Sequence, residues 1–376
     1  MSVIKIKVLI INVLLIGMGV IGATNVNGQV KQNAAKSSEA PNLIIITTDG
    51  FRWQELFKGL DQTIAQQNKF NQGDSDFIQT KYGGASDQER RLKLMPFFWS
   101  KIVNEGMIFG NRTLDNKVNV ANPHSISYPG YNEIFTGYPD SSINSNSFPP
   151  NLHSNILGFL QKQSAYKNKV AVFGAWDAFN RILNERVSGI PVINAFEPIT
   201  QLMNDPVSLS ISQGLKDSYK PFKEAECLDV YTHQQAFHYL QNKKPKALFI
   251  SYGETDEWAH HAHYRDYLEA AHQVDAWIAQ IWNWVQSTPG YKDNTYLLIT
   301  TDHGRGFTDA WTDHGGDVNG ASSVWFALMG PNLQKVGKLG EQNVKAQFYQ
   351  KQLAATITKL LNKPFVAEHP IGSSIY

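Results

Sequence analysis

Five short apolar runs rich in β-branched residues place the strongest constraint on how this 376-residue chain can fold. Their hydrophobicity is continuous rather than alternating, which is typical of strands buried on both faces of a sheet. Stretches with apolar residues at helical spacing lie between them. This alternation predicts an α/β fold: an open, mostly parallel central sheet with helices on both faces. The predicted strands are 43–48, 170–174, 247–252, 296–301 and 324–329, and the clearest predicted helices are 151–163, 228–241 and 266–286.

The composition excludes several classes of protein. A hydrophobic fraction of 42% is enough to bury a large core, so residues 42–376 are predicted to form a single domain. The formal net charge is +1 and no run of basic residues occurs, so we expect no binding of nucleic acid duplexes. The single cysteine, Cys227, excludes an internal disulfide and a cysteine-based zinc cluster. Any metal must therefore be bound by histidines and carboxylates.

Residues 1–28 have basic, apolar and then small or polar residues, in the order that is typical of a secretory signal peptide. Lys5 and Lys7 precede an apolar run of about 16 residues, which is short for a membrane span, and small and polar residues follow it. An uncleaved N-terminal anchor is the alternative. Residues 29–41 then read as a polar linker. We therefore predict an exported protein, periplasmic or extracellular, with no membrane span after cleavage of the signal.

Carboxylates and histidines follow three of the predicted strands. Asp49 comes directly after the first strand, Asp256 and His260 follow the third, and Asp302 and His303 follow the fourth. In open parallel sheets, ligands bind at the carboxyl ends of the strands, so these side chains are predicted to share one crevice. His314 lies eleven residues after His303, close enough for a short loop to return it to the same edge.

Three Asp and three His are suitable ligands for zinc, and also for manganese or iron. Six such groups exceed what one catalytic zinc normally takes from a protein, so two divalent ions are the natural number. The spacing of four between Asp256 and His260 places both on one face of a helical turn. The alternative for Asp49 is an ordinary Asp-Gly turn after a strand.

Ser127 is the candidate nucleophile. It precedes Tyr128-Pro129-Gly130 and a helix-like segment, and a hydroxyl at the start of a helix lies where backbone N–H groups favour an anion. The alternative is that Ser125 and Ser127 serve only as helix N-caps.

The segments TTDGFRWQELF, SISYPGYNEIFTG, Asp256-x-x-x-His260, TTDHGRG and WTDHGG occur in this order and resemble the alkaline phosphatase superfamily. The more similar branch is the type I phosphodiesterase/nucleotide pyrophosphatase group, and the resemblance covers residues 42–331. It implies an alkaline phosphatase-like fold and two zinc ions with Ser127 between them as ligand and nucleophile. The ligand sets that the resemblance implies are Asp256, His260 and His314 for one ion, and Asp49, Asp302 and His303 for the other.

The resemblance further implies hydrolysis of small phosphoric esters through a phosphoseryl intermediate. Asn146 falls near the position at which phosphodiesterase-like members carry an Asn that donates to a non-bridging oxygen, although the alignment needs a one-residue gap. Arg305 lies close to the ligands and could clamp phosphate oxygens, or it could pair with a nearby acid. The alternatives in function are a phosphomonoesterase, a phosphonate hydrolase and a non-catalytic binding protein.

Overall fold

An eight-stranded sheet runs through the centre of residues 39–376, the part of the chain that the computed structural model describes. These residues form one compact unit. The predicted signal peptide and residues 29–38 of the predicted linker lie outside the described residues, so both stay predictions.

Strands β7, β1, β6, β4 and β5 are neighbours in this order and all run parallel, and β9 adds to β7 in the antiparallel direction. β2 and β10 complete the sheet at that edge, and a separate small sheet has the order β11-β3-β8. The strands are β1 (Asn42–Thr48), β2 (Gly106–Phe109), β3 (Asn116–Asn119), β4 (Val170–Gly174), β5 (Val192–Asn194), β6 (Ala247–Tyr252), β7 (Thr295–Thr300), β8 (Ser323–Val324), β9 (Phe326–Met329), β10 (Gly340–Glu341) and β11 (Ala346–Tyr349).

The observed sheet confirms the predicted mostly parallel architecture with helices on both faces. Alternate residues of β1 enter two different cores, since Leu43 and Ile45 pack on one side of the sheet while Ile44 and Ile46 pack on the other. Burial on both sides explains why the strand sequences are apolar throughout. Helices α12 and α14 cover one face, and α7, α8 and α15 cover the other. The helices are α1 (Trp53–Lys58), α2 (Gln62–Ala65), α3 (Asn68–Asn71), α4 (Ser75–Tyr82), α5 (Asp87–Leu94), α6 (Val103–Glu105), α7 (Ser127–Thr136), α8 (Ile156–Lys162), α9 (Phe179–Ile182), α10 (Glu185–Ser188), α11 (Pro206–Asp217), α12 (Asp229–Lys243), α13 (Glu254–His260), α14 (Tyr264–Ser287) and α15 (Leu353–Leu360).

Most predicted elements match the structure to within one or two residues at each end, and two differ by more. The fifth predicted strand is divided at Trp325, because β8 pairs with the small sheet and β9 with the large one. The helix predicted from residue 151 begins only at residue 156, after Asn155, whose side chain accepts a hydrogen bond from the backbone N–H of Gly158 and so caps the first turn.

None of the helices between residues 39 and 376 combines the length and the hydropathy that crossing a bilayer requires.

Candidate metal centre

Two neighbouring strands bring the first group of candidate ligands together. Thr47 of β1 pairs with Thr300 of β7, so Asp49 and Asp302, each two residues further on, emerge side by side at the carboxyl edge. One ligand atom from each of Asp49, Asp302 and His303 lies within 4.8 Å of the other two, and all three residues are buried.

The second group comes from α13 and from the loop after β7. Asp256, His303 and His314 also offer ligand atoms within 4.8 Å of one another, so His303 is common to both groups. His260 lies at the end of α13, with its Nε2 3.0 Å from Oδ2 of Asp256 and 3.0 Å from Nε2 of His314. The structure thus brings all six predicted ligand residues into one cluster.

The first group presents unpaired carboxylate oxygens and an unprotonated imidazole nitrogen, which are atoms that a cation can bind. Asp49 Oδ1 and Asp302 Oδ2 are buried without a hydrogen-bond partner, and they lie 3.4 and 3.5 Å from Nε2 of His303. The Nδ1 of His303 donates to the carbonyl oxygen of Gly304 over 2.9 Å. Nε2 therefore carries no proton, and its lone pair is on the side of the two carboxylates. Unpaired buried carboxylate oxygens are costly unless a cation meets them.

Burial decides the charges of two histidines at the centre, His303 and His314, whereas the charge of Asp256 outweighs burial at His260 and raises its pKa. Burial lowers the pKa of His303 to about 4 and that of His314 to about 3, and the two rings stack with centroids 3.8 Å apart. His314 Nδ1 donates to the carbonyl oxygen of Ser125 over 3.1 Å, which again leaves Nε2 with a free lone pair. Both imidazoles are therefore neutral, which is the form that binds metal.

The three carboxylates differ in their surroundings. Burial and the charge of Asp256 raise the pKa of Asp49 to about 7, and burial followed by Asp49 also raises the pKa of Asp302. Burial alone would raise the pKa of Asp256 too, but Arg305 and His260 outweigh it and hold that pKa well below its usual value. Asp49 and Asp302 are thus the two carboxylates that lack a positively charged neighbour in contact.

A chain of buried hydroxyls holds the other oxygen of Asp49. Tyr131 Oη donates to Asp49 Oδ2 over 2.9 Å and lies 2.8 Å from Ser251 Oγ, which accepts from Thr47 Oγ1 over 3.0 Å. This chain leaves Oδ1 of Asp49 as the oxygen that faces His303. Sequence reasoning did not identify Tyr131, although its position four residues after Ser127 on a helix was a usable signal.

Ser127 is the first residue of α7 and lies beside the shared histidine. Its Oγ is 3.3 Å from Nε2 of His303, and the residue is only 5% exposed. The residue before the helix, Ile126, occupies the N-cap position and no side chain caps α7, so the N-cap interpretation of Ser127 is wrong. Gly130 permits this close approach, since a Cβ there would lie 2.4 Å from the carbonyl oxygen of Asp302.

The two predicted substrate residues occupy different surroundings. Asn146 Oδ1 accepts a hydrogen bond from the backbone N–H of Tyr128 over 2.9 Å, next to Ser127. Arg305 is 1% exposed and contacts Asp256 through Nη1, while its Nε donates to the carbonyl oxygen of Trp311 over 2.8 Å. Pairing with a nearby acid is therefore what the structure records for Arg305. Contact of either residue with substrate stays a prediction.

His369, the competitor of His314 for the ligand role, lies elsewhere. Its ring stacks on Tyr138 with centroids 4.3 Å apart, and its Nε2 is 3.0 Å from Nδ1 of His153.

Comparison with known proteins shows the family and the fold. A sequence comparison with curated proteins gives no match. Among solved structures, the fold is similar to that of alkaline phosphatase PafA, with a TM-score of 0.54 and 12% identity over 89% of this chain and 98% of that one. A phosphonate monoester hydrolase from Agrobacterium radiobacter has a TM-score of 0.55 at 13% identity, covering 89% and 76% of the two chains. The lipoteichoic acid synthase LtaP from Listeria monocytogenes has a TM-score of 0.53 at 15% identity, covering 87% and 73%.

The sequence identities to these structures are too low to assign an activity to this chain, but the structural similarity confirms the alkaline phosphatase-like fold. The family model described as the metalloenzyme superfamily matches residues 15–363, which include the whole candidate centre. The order of the ligand residues, their meeting at the carboxyl edge of the sheet and this match lead to one conclusion: the chain belongs to the metalloenzyme superfamily.

Proposed function

We propose that the chain is an exported hydrolase of phosphoric esters that binds two divalent metal ions, with zinc as the expected metal, and prefers phosphodiesters. The observation that carries this proposal is the position of Ser127, whose Oγ lies 3.3 Å from Nε2 of His303, the residue common to both ligand groups. A hydroxyl beside the residue that both ligand groups share is placed to attack a phosphorus atom held by both.

In this mechanism Ser127 is the nucleophile. Its Oγ loses a proton and attacks phosphorus, the Oγ–P bond forms while the bond to the leaving alcohol breaks, and the alcohol departs with a proton. Water then cleaves the Oγ–P bond, which releases the phosphoryl group and restores the hydroxyl. Two metal ions, when bound, would supply positive charge to the attacking and leaving oxygens. The N-terminus of α7 adds favourable backbone dipoles at the same oxygen.

Asn146 supports the preference for diesters. Its Oδ1 is held by the backbone N–H of Tyr128, while its Nδ2 has no hydrogen-bond acceptor among residues 39–376. A neutral donor beside the nucleophile suits the singly charged phosphoryl group of a diester, whereas a free arginine would suit a dianionic monoester. Arg305 is already engaged with Asp256.

Sulfatase chemistry is disfavoured by the residues around Ser127. The sulfatases of the alkaline phosphatase superfamily need a Cys- or Ser-x-Pro-x-Arg sequence, and this chain has Tyr131 at the arginine position. Tyr131 is also engaged with Asp49 rather than free to activate a nucleophile. Phosphomonoesters and phosphonates are the second candidate substrates, since an alkaline phosphatase and a phosphonate hydrolase share the fold.

The test is a side-by-side assay of the metal-analysed protein on an aryl phosphate, a bis-aryl phosphate and an aryl sulfate. We expect the highest kcat/KM on the bis-aryl phosphate, and activity lost in strong chelator. Ser127→Ala should keep its metal and lose activity by orders of magnitude, whereas the matched variant Ser125→Ala should keep both. The reverse pattern between the two serines, or highest activity on the sulfate, would contradict the proposal.

A further inference from the structure

Glu226 is a buried carboxylate at the same edge of the sheet as the candidate metal centre. It is 6% exposed and forms an isolated antiparallel bridge with Trp176, just beyond the end of β4. Backbone hydrogen bonds of 2.9 and 3.0 Å flank this bridge, so the two residues form a non-hydrogen-bonded pair, in which side chains lie closest and on one side. The carboxylate lies against Gly253, the residue after β6, where a Cβ would meet Glu226 Oε1 at 1.6 Å.

Glu226 differs from the other buried carboxylates in lacking a partner. The comparison is with the buried carboxylates of residues 39–376 that are not candidate ligands. Within that set, Glu226 is the residue whose side chain has no hydrogen bond and no ion pair, and its Oε1 is fully enclosed. The remaining members of this set accept hydrogen bonds from an arginine or from backbone N–H groups; they are Glu55, Glu133, Asp229 and Asp275.

The charges around Glu226 are negative. Burial raises the pKa of Glu226, and the charges of Glu257, Asp49 and Asp256, among others, raise it further, so Glu226 lies within electrostatic reach of the candidate centre. Glu257 is half-buried and its carboxylate also has no hydrogen bond or ion pair within the described part of the chain. A positive group from outside the chain is what Glu226 lacks, whereas His260 and His261 already lie within electrostatic reach of Glu257.

A third metal ion is a poor match for that group. Within the described residues, the sets of three ligands close enough to hold an ion are the two at the candidate centre, and neither includes Glu226. An organic cation needs fewer ligands, and an aromatic face strengthens its binding. Trp176 supplies such a face beside Glu226, with its own ring held edge-on by Phe179 at 6.1 Å.

We propose that Glu226, Glu257 and Trp176 bind an ammonium group carried by the second alcohol of the phosphodiester, so that zwitterionic diesters are the preferred substrates. This inference rests on the proposed function. Two bound divalent ions and Arg305, which contacts Asp256, would more than offset the three ligands Asp49, Asp256 and Asp302, so Glu226 and Glu257 are the carboxylates left without a cation of their own. Their side of the crevice disfavours the second negative charge of a dianionic monoester and attracts a substrate that carries a positive group.

The test compares two diesters that release the same leaving group, 4-nitrophenol, and differ in the charge of the second alcohol. They are 4-nitrophenyl phosphorylcholine and ethyl 4-nitrophenyl phosphate. The wild-type protein should prefer the choline ester. Glu226→Gln, which keeps the shape of the side chain, should lower the ratio of the two kcat/KM values by about 10-fold or more, the factor expected for a charge pair. The matched control is Glu224→Gln, because Glu224 is 80% exposed and pairs with Lys220; it should leave the ratio unchanged.

Equal kcat/KM values for the two diesters in the wild type, or an unchanged ratio in Glu226→Gln, would overturn the ammonium pocket and leave the proposed function standing. Hydrolysis of neither diester would instead contradict the proposed function. The pocket is then tested by calorimetric titration of the metal-loaded protein with choline: binding that weakens in Glu226→Gln supports it, and no binding overturns it. If Glu226→Gln fails to fold, Glu257→Gln takes its place in both measurements, with the same expected results.

Discussion

Replacing Tyr131 by Phe should weaken metal binding without altering any candidate ligand. The substitution removes one oxygen atom and keeps the ring, which packs edge-on against Phe179 with centroids 4.8 Å apart. Asp49 Oδ2, which accepts from the hydroxyl over 2.9 Å, then loses its partner, and Ser251 Oγ at 2.8 Å loses one of its two and keeps Thr47. Asp49 Oδ2 becomes free to rotate toward the metal position, so the orientation of this carboxylate is no longer set by the protein.

The expected magnitude follows from the charge of Asp49. A hydrogen bond to a charged group contributes about 1.5–3 kcal/mol, and loss of a group that orients a metal ligand typically costs about 10–100-fold in metal affinity. Both estimates agree on a dissociation constant raised by roughly 10–100-fold for one of two metal ions. Because Tyr131 is fully buried, water cannot replace its hydroxyl without rearrangement.

The measurement is titration of the metal-free protein with Zn²⁺ in competition with a chromophoric chelator. Tyr128→Phe is the matched control, since Tyr128 is equally buried on the same helix and donates its hydroxyl to the carbonyl oxygen of Pro149 over 2.8 Å. It should lower the free energy of unfolding and keep the zinc affinity. Equal zinc affinity in Tyr131→Phe and the wild type, or an equal loss in both variants, would refute the positioning role of Tyr131.

Three further predictions concern the ligands and a buried acid. His260→Ala should lose at least one of the two expected metal ions in elemental analysis, together with nearly all activity; full occupancy would remove His260 from the ligand set. Gly50→Ala should also lower the metal content, because its φ of +58° is strained for alanine and the added Cβ would lie 2.3 Å from Oδ1 of Asp256. Burial raises the pKa of Asp275 to about 7, above its value of about 4 in the unfolded chain, so the folded protein holds this proton more tightly and loses stability as the pH rises between these values. Asp275→Asn should remove that slope, at most about 1.4 kcal/mol per pH unit, in urea unfolding at several pH values, and an unchanged slope would contradict the assignment.

Much of the fold could be predicted because each buried strand and helix has its own hydrophobic pattern in the sequence. Residues 170–174 and 247–252 are strands with the predicted bounds, since a strand buried on both faces must be apolar at every position. The short strands at the edge of the large sheet and in the small sheet carry no such pattern. Residues 116–119, for example, read Asn-Lys-Val-Asn and form β3 only because β8 and β11, both more than 200 residues away along the chain, pair with them.

The sequence by itself determined the chemistry of the candidate centre: three Asp, three His and one Ser of suitable type and order, placed after strands whose ends must meet at one edge of a parallel sheet. Only the tertiary structure decided what surrounds them. It placed Arg305 on Asp256, Tyr131 on Asp49 and Glu226 against Gly253 without a partner. Residue type and periodicity indicate burial and local conformation, whereas the partner of a buried polar atom depends on which segments, distant in sequence, pack against it in the folded chain.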